Sequence, residues 1–319
     1  MTTSLITCWD IPKKLGTFNY FDIGKGKDYF QQPGSTRLLL KRFGSMLSEL
    51  EGNRSFKASL LMTGSFIQAL ESNQSLRDRT AVLLQKKKLE LLAGTYVNSI
   101  SSLVSSQLFK KEIQKHSDLL KSVFDYRATG FINTATIFSD DLLNHLDSFN
   151  FGYVTVPRVS WMKESWKQHP VLRSALDSLN LLLLGETTSK VTNVQVFDEF
   201  PKKNFSKKLD YILPYELEQQ NIPQEVYRVP NVIMHGKNGS QMPDYLGTQK
   251  QKQYFKELQK LTELAVKSGN QALEWQLFDL MHLSNFESMQ EDKEDRYSAY
   301  LNLMNCLADL KIQLEKSGS

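Results

Sequence analysis

The residues of this chain best suited to moving protons are Asp10, Glu186 and His235, each placed by the sequence near the end of a predicted strand. Two carboxylates can share the roles of general acid and general base, and a histidine can take either role near neutral pH. Around them stand groups suited to holding a ligand. Trp9, Tyr96, Trp161 and Trp166 offer flat apolar faces that stack on sugar rings or bases, while Asn98 and Asn133 offer amide donors and acceptors. The simpler reading of Asp10 is a loop carboxylate or cap, and of His235 a partly exposed loop histidine. Trp161 and Trp166 can equally serve a local core.

What must position these groups is the stretch from Lys88 to Val156. Leu89 to Leu92 and Tyr153 to Val156 are short apolar runs, too short for helices and suited to strands covered on both faces. Between Gln107 and Phe124, Phe109, Ile113, Leu120 and Val123 recur at helical spacing among polar residues. A further short strand falls near Gly130, so the order is strand, helix, strand, helix, strand. Repeated units of this kind demand a parallel sheet, open or closed into a barrel, with functional groups just past the carboxyl ends of the strands. Here those positions are Gly94 to Ser99 and Asn133 to Ile137. They carry hydroxyls, amides and Ala135, with no carboxylate, histidine or cysteine.

Elsewhere the pattern extends the same architecture. Ser4 to Trp9 reads as the first strand, Ser35 to Leu50 as a helix with Gly44 in its middle, and Phe56 to Thr63 as the second strand. A helix starts at Gly64, and Val82 to Lys88 completes another. Pro157 to Pro170 is a long connection of the type that carries function. Leu181 to Leu184 and Val191 to Phe197 read as strands bracketing Gly185 and Glu186, a sheet pair or hairpin. Asn231 to His235 reads as the last strand, followed by a polar loop from Gly236 to Gly239. From Tyr254 onward Tyr300, Leu303, Leu307, Leu310 and Leu314 keep three-four spacing, which predicts a helical bundle.

Composition sets bounds. With 319 residues and 40% hydrophobic content, the chain can bury a large core as one large domain or two ordinary ones. The apolar runs are far short of a bilayer span and the first residues lack a leader pattern, so the cytoplasm is the expected compartment. Cys8 and Cys306 lie far apart with no CxxC partner, and two reduced thiols are expected rather than a metal site; no cofactor is expected either. The net charge of +4 is spread over short clusters such as Lys86 to Lys88 and Lys207-Lys208, which ranks nucleic-acid binding below other functions.

Five stretches carry a resemblance. They are Phe21 to Gly24, Phe56 to Gly64, Thr95-Tyr96 with Ser99 to Leu103, Asn133-Thr134 with Ile137 to Ser139, and Tyr297 to Leu310. In order and spacing they resemble the bacterial amylase-like members of glycoside hydrolase family 57. The resemblance implies a distorted (β/α)7 TIM-like barrel over residues 1–245, followed by a C-terminal helical region over residues 246–319. It also implies an α-glucan or another glycan as the ligand.

The same register shows departures. Where the family has histidine-glutamine-proline, this chain has Asp10-Ile11-Pro12, and where it has a histidine before a serine, Asn98 stands. The position of the nucleophilic glutamate is Ala135. The acid/base aspartate corresponds to His235, or under a shifted register to Asp198, Glu199 or Asp244. Retaining glycoside hydrolysis needs two carboxylates about 5–5.5 Å apart. A methyl group can neither attack nor protonate. The resemblance therefore implies a catalytically inactive homologue that binds a glycan, with Trp9, Tyr96, Trp161 and Trp166 as stacking faces. A second reading is an interaction protein that meets a macromolecular partner through the aromatic N-terminal loop and the Lys-rich segment from Lys250 to Lys260. A third is an enzyme whose relocated pair is drawn from Asp10, Glu186 and His235.

Overall fold

The computed structural model describes residues 2–31, 34–175, 179–187, 192–197, 209–221, 225–235 and 241–317. The chain forms two compact units, and neither is one contiguous segment. The first gathers residues 1–10, 35–96 and 113–239; the second gathers 11–34, 97–112 and 240–319. Two early stretches, 11–34 and 97–112, thus group with the C-terminal helices. Among the described residues no helix is long and apolar enough to cross a membrane.

Among the described residues, seven parallel strands form the main series of the first unit: β1 (Thr2–Trp9), β2 (Ala58–Met62), β3 (Leu89–Leu92), β4 (Gly130–Phe131), β5 (Tyr153–Val156), β6 (Asn180–Leu183) and β7 (Thr192–Phe197). Their lateral order is β7-β1-β2-β3-β4-β5-β6. Ladders join every neighbouring pair except β3 and β4, which meet through a single parallel bridge between Ala93 and Phe131. Two short antiparallel strands flank the ends of this series, Val171–Arg173 beside β6 and Gly185–Glu186 beside β7. The helices α1 (Thr36–Gly52), α2 (Gly64–Glu71), α3 (Gln74–Gln85) and α4 (Ser106–Phe124) connect the early strands.

What makes this series a barrel is its shared interior. Side chains alternate along a strand, and one set from each strand region meets in a single core: Ile6, Leu61, Leu92, Ile132, Tyr153, Leu182 and Val194. The expected distorted TIM-like barrel is present. After β7 the short strand Asp210–Tyr211 adds a further parallel partner to the start of β1, and residues 231–235 do not form a strand. Ile233 makes only an isolated antiparallel bridge with Phe138. Pro230, lacking an N–H to donate, enters this segment, and its exposed residues Asn231 and Val232 have no strand neighbour to cover them.

The amino end of the barrel is filled by a polar cluster. Glu90 on β3 is fully buried and accepts hydrogen bonds from the Tyr153 hydroxyl at 2.7 Å, the Ser59 hydroxyl at 3.1 Å and the Tyr215 amide at 3.4 Å. Burial pushes its carboxyl up to about 7 despite these donors, so near neutral pH it shares its site with a proton. Polar groups at this end of such a barrel serve stability rather than chemistry. Tyr153 reaches across because β4 begins with glycine: a Cβ on Gly130 would lie 2.1 Å from the ring.

The second unit is helical, with α5 (Gln249–Ser268), α6 (Gln271–Leu280) and α7 (Arg296–Ser317). Leu303, Leu307, Leu310 and Leu314 form the buried stripe of α7, as their spacing predicts. Asp309, buried in the same helix, accepts the Gly24 amide and the Tyr29 hydroxyl, each at 2.5 Å. These bonds join two distant sequence stretches, Phe21 to Gly24 and Leu307 to Asp309. Each is the other's packing partner.

Gly130→Ala forces Tyr153 out of its place and is expected to cost about 1–3 kcal/mol, read from urea unfolding. Gly52→Ala, at a helix end where an added Cβ meets nothing within 4 Å, is the control and is expected to leave stability within about 0.5 kcal/mol.

Candidate functional site

The carboxyl end of β4 leads directly into a tight turn, Thr134–Thr136. Asn133 sets it. Its side-chain oxygen accepts the Thr134 amide at 2.9 Å and its amide donates to the Ile137 carbonyl at 3.0 Å, so both ends of the buried side chain are engaged in holding the backbone. Ala135 and Thr136 both adopt left-handed backbone angles, with φ of 47° and 50°. For residues carrying a Cβ this costs about 1 kcal/mol or more each, and most for the β-branched threonine. The strain is held by bonds on both sides. The His235 amide donates to the Ala135 carbonyl at 3.1 Å, and the Thr136 hydroxyl donates to the His235 carbonyl at 2.9 Å. Ala135 and His235 are thus side by side, although they stand a hundred residues apart in sequence. The His235 side chain is exposed.

Behind the turn lies a second anchor. Thr134 and Thr95, at the carboxyl ends of β4 and β3, share a hydrogen bond of 2.8 Å between hydroxyls. His116 of α4 is fully buried and spans the ends of β2 and β3. Its Nδ1 accepts the Gly94 amide at 3.3 Å, which fixes Nε2 as the protonated nitrogen, and Nε2 donates to the Met62 carbonyl at 2.6 Å. Burial pulls its pKa down to about 4, so the ring is a neutral strut. In the sequence His116 sits in the gap of the stripe Phe109, Ile113, Leu120, where three-four spacing marks an inward position. That spacing was the signal for a residue that composition alone would leave on the surface.

The remaining candidates are scattered. Asp10 follows β1 at its carboxyl end and is half-buried. Trp9 is 1% exposed, its ring enclosed by Phe43 and Phe66 and its Nε1 donating to Thr7 Oγ1 at 3.0 Å. It is a core residue with no face for a ligand, because its strand position points away from the barrel interior. Tyr96 is largely buried over Gly64, with Lys115 Nζ 4.4 Å from its ring centroid. Trp161 is 57% exposed in the loop after β5, while Trp166 is half-buried edge-on against Tyr227 at 4.8 Å.

Glu186 follows the end of β6 but lies beside the start of β7, far from Asp10. It pairs with Asn193, which pairs with Thr3 near the start of β1, whereas Asp10 follows the end of that strand. Seven residues of strand separate the two levels by roughly 20 Å, so Glu186 cannot form a carboxylate pair with Asp10. The chain turns downward at Gly185 before β7, a reversal the sequence shows only as one glycine. Of the alternative acid positions, Asp198 and Glu199 lie outside the described residues, as does the loop from Gly236 to Gly239. Asp244 caps a short helix in the second unit, accepting the Gln241 amide at 2.6 Å.

Asn98 belongs to the second unit. With φ of 56° it bends the chain so that its carbonyl accepts the Leu283 amide at 3.2 Å. The sequence reading missed its neighbour Glu112, which is fully buried and accepts from the Ser99 and Ser101 hydroxyls and from the Val97 amide at 3.1 Å. Burial pushes this carboxyl up to about 7. No group of three or more metal-ligating side chains occurs among the described residues.

A seven-stranded parallel barrel with a strained, hydrogen-bonded turn at its carboxyl face defines a TIM-like barrel whose site belongs at that face. Residues 13–260 match the model of Glycosyl hydrolase family 57, and the chain belongs to that family. A putative alpha-amylase of Methanocaldococcus jannaschii is 27% identical over 140 residues, covering 43% of this chain and 30% of that protein's own length. The crystal structure of the alpha-amylase AmyC from Thermotoga maritima superposes with a TM-score of 0.66 at 8% identity, covering 100% of this chain and 94% of that one. A family 57 branching enzyme from Pyrococcus horikoshii also gives 0.66 at 8% identity, covering 96% and 88%. At such identities these structures share the fold.

The His116 strut has a pH consequence. Its folded pKa lies below the ordinary value of 6.5, so the unfolded chain binds the extra proton first, and stability is lost as pH falls from about 6.5 towards 4. The loss amounts to roughly 3 kcal/mol at most. Urea midpoints of the wild type and of His116→Asn, measured across this range, are expected to differ in pH slope by up to one proton. Equal slopes would mean that His116 titrates normally.

Proposed function

We propose that this chain binds a glycan at the carboxyl face of the barrel and does not hydrolyse it by the two-carboxylate route. The observation that carries this reading is Ala135, in a turn whose register is held by Asn133 on one side and His235 on the other. A methyl group there supplies no nucleophile. His235 beside it could exchange a proton but has no carboxylate to work with in that turn. The separation of Glu186 from Asp10 removes one relocated pair that could have taken over. Trp161 supports the binding half of the reading, since an exposed indole on the loop after β5 offers a stacking face.

Calorimetric titration with maltoheptaose, with chromatography of the same mixture after long incubation, tests both halves. Binding heat without shorter products is expected, and Trp161→Ala is expected to weaken binding by about three- to tenfold. Products formed in proportion to the protein would overturn the inactive reading. Absence of heat would overturn the glycan.

A second reading, an interaction surface, is favoured by Tyr20 and Phe21. They are 74% and 76% exposed on a turn braced by Asn19 and by the ion pair of Asp22 with Lys27. Two large apolar side chains held rigidly in water suit a macromolecular contact. It predicts a partner that co-purifies in fixed stoichiometry with the wild type and is lost from the double variant Tyr20→Ser, Phe21→Ser. Its retention there would remove this reading.

A further inference from the structure

The mouth of the barrel at β5 and β6 holds polar groups that neither the fold nor the reading above uses. Thr155 lies two residues after Tyr153 on β5 and shares its face, so its side chain faces the interior. It is 1% exposed, and its hydroxyl has no hydrogen-bond partner among the described residues. Three residues further on, past the end of β5, Arg158 is half-buried. Its Nη1 donates to the Lys167 carbonyl at 2.9 Å and its Nη2 to the His169 carbonyl at 3.0 Å, while its Nε is buried with no partner. The chain leaving β6 closes over this side chain: Gly185, with φ of 94°, would bring a Cβ within 3.4 Å of Arg158 Cδ.

Among the described residues no carboxylate pairs with Arg158. Burial brings its pKa down to about 10, still well above neutral, so the guanidinium stays charged. Removing a cation from water without a counter-charge is costly, and two carbonyl dipoles offset only part of that cost. A guanidinium presents donors in a rigid fork that matches an oxyanion, and a threonine hydroxyl can donate to the same kind of group. Trp161, exposed in the same loop, would cover the apolar face of a ring attached to that anion.

We propose that Thr155 and Arg158 form an oxyanion subsite, so that this barrel prefers a sugar bearing a carboxylate or a phosphate over a neutral one. The sugar half of this proposal rests on the glycan reading; the oxyanion half stands on Thr155 and Arg158 alone.

The test is calorimetry of the full chain with glucose, glucuronate, glucose 6-phosphate, maltotriose and inorganic phosphate, at low and at physiological ionic strength. A charged sugar is expected to bind about tenfold tighter than glucose and to weaken with salt. Glucuronate or glucose 6-phosphate as the tighter ligand identifies the source of the anion. Arg158→Gln is expected to abolish the preference, and Arg158→Lys to keep part of it. Maltotriose binding with no preference for charged sugars would overturn the oxyanion subsite and leave the glycan reading standing. Phosphate binding without any sugar would uphold the subsite and overturn the glycan reading. Silence from all five probes would overturn both. The wild-type comparison decides the matter even where a variant fails to fold.

Discussion

Seven parallel strands curled into one barrel enclose a space that only their own side chains can fill, and most features of the first unit follow from that demand. The middle of the interior is apolar, with one residue from each strand region. At the amino end the filling is done by Tyr153, which needs the missing side chain of Gly130, and by Glu90, whose carboxyl accepts the tyrosine's proton-bearing oxygen as donor. A buried carboxyl with several donors and a pKa near 7 is a structural device in this setting. Strongly shifted groups often mark active sites, but here both shifted glutamates, Glu90 and Glu112, sit among their own hydrogen-bond donors.

The carboxyl end obeys a different constraint. Strand ends there must be tied without a neighbouring strand to tie them, and the chain uses side chains that bond to backbone. His116 joins the ends of β2 and β3, the hydroxyls of Thr95 and Thr134 join those of β3 and β4, and Asn133 folds the following turn. The result is a rigid scaffold that presents Ala135 in a strained conformation beside His235. A scaffold of this kind does not by itself require catalytic groups, because fold and site are separable. Membership of Glycosyl hydrolase family 57 fixes the fold's ancestry; the chemistry depends on what stands in the turn.

Much of the barrel was legible because buried parallel strands are short apolar runs and the helices between them keep their period. Leu89–Leu92 and Tyr153–Val156 appear where their composition puts them. The late strands were harder. Apart from Pro230 at its entry, little local distinguishes Asn231 to His235, a run that ends as a lone bridge, from Thr192–Phe197, which pairs along β1; the rest of the difference lies in which neighbour is available. That Glu186 lies beside the start of β7 was hidden for the same reason, since the reversal at Gly185 is a tertiary event. Trp9 illustrates the parity of a strand: a shift of one residue decides between interior and outer face, and an aromatic at a strand end does not announce which it takes. His116 was readable from its place in the helical stripe, while no sequence pattern marks Thr155 and Arg158, whose hydroxyl and Nε are buried without partners among the described residues.

The central claim is that the turn after β4 carries no nucleophile. The most direct measurement is intact-mass spectrometry after incubation with an activated 5-fluoro-α-glucosyl fluoride, a reagent that leaves a slowly hydrolysed sugar on the attacking carboxylate of a retaining glycosidase. The account predicts an unchanged mass. A protein heavier by one glycosyl unit, with the sugar mapped to a carboxylate, would contradict it.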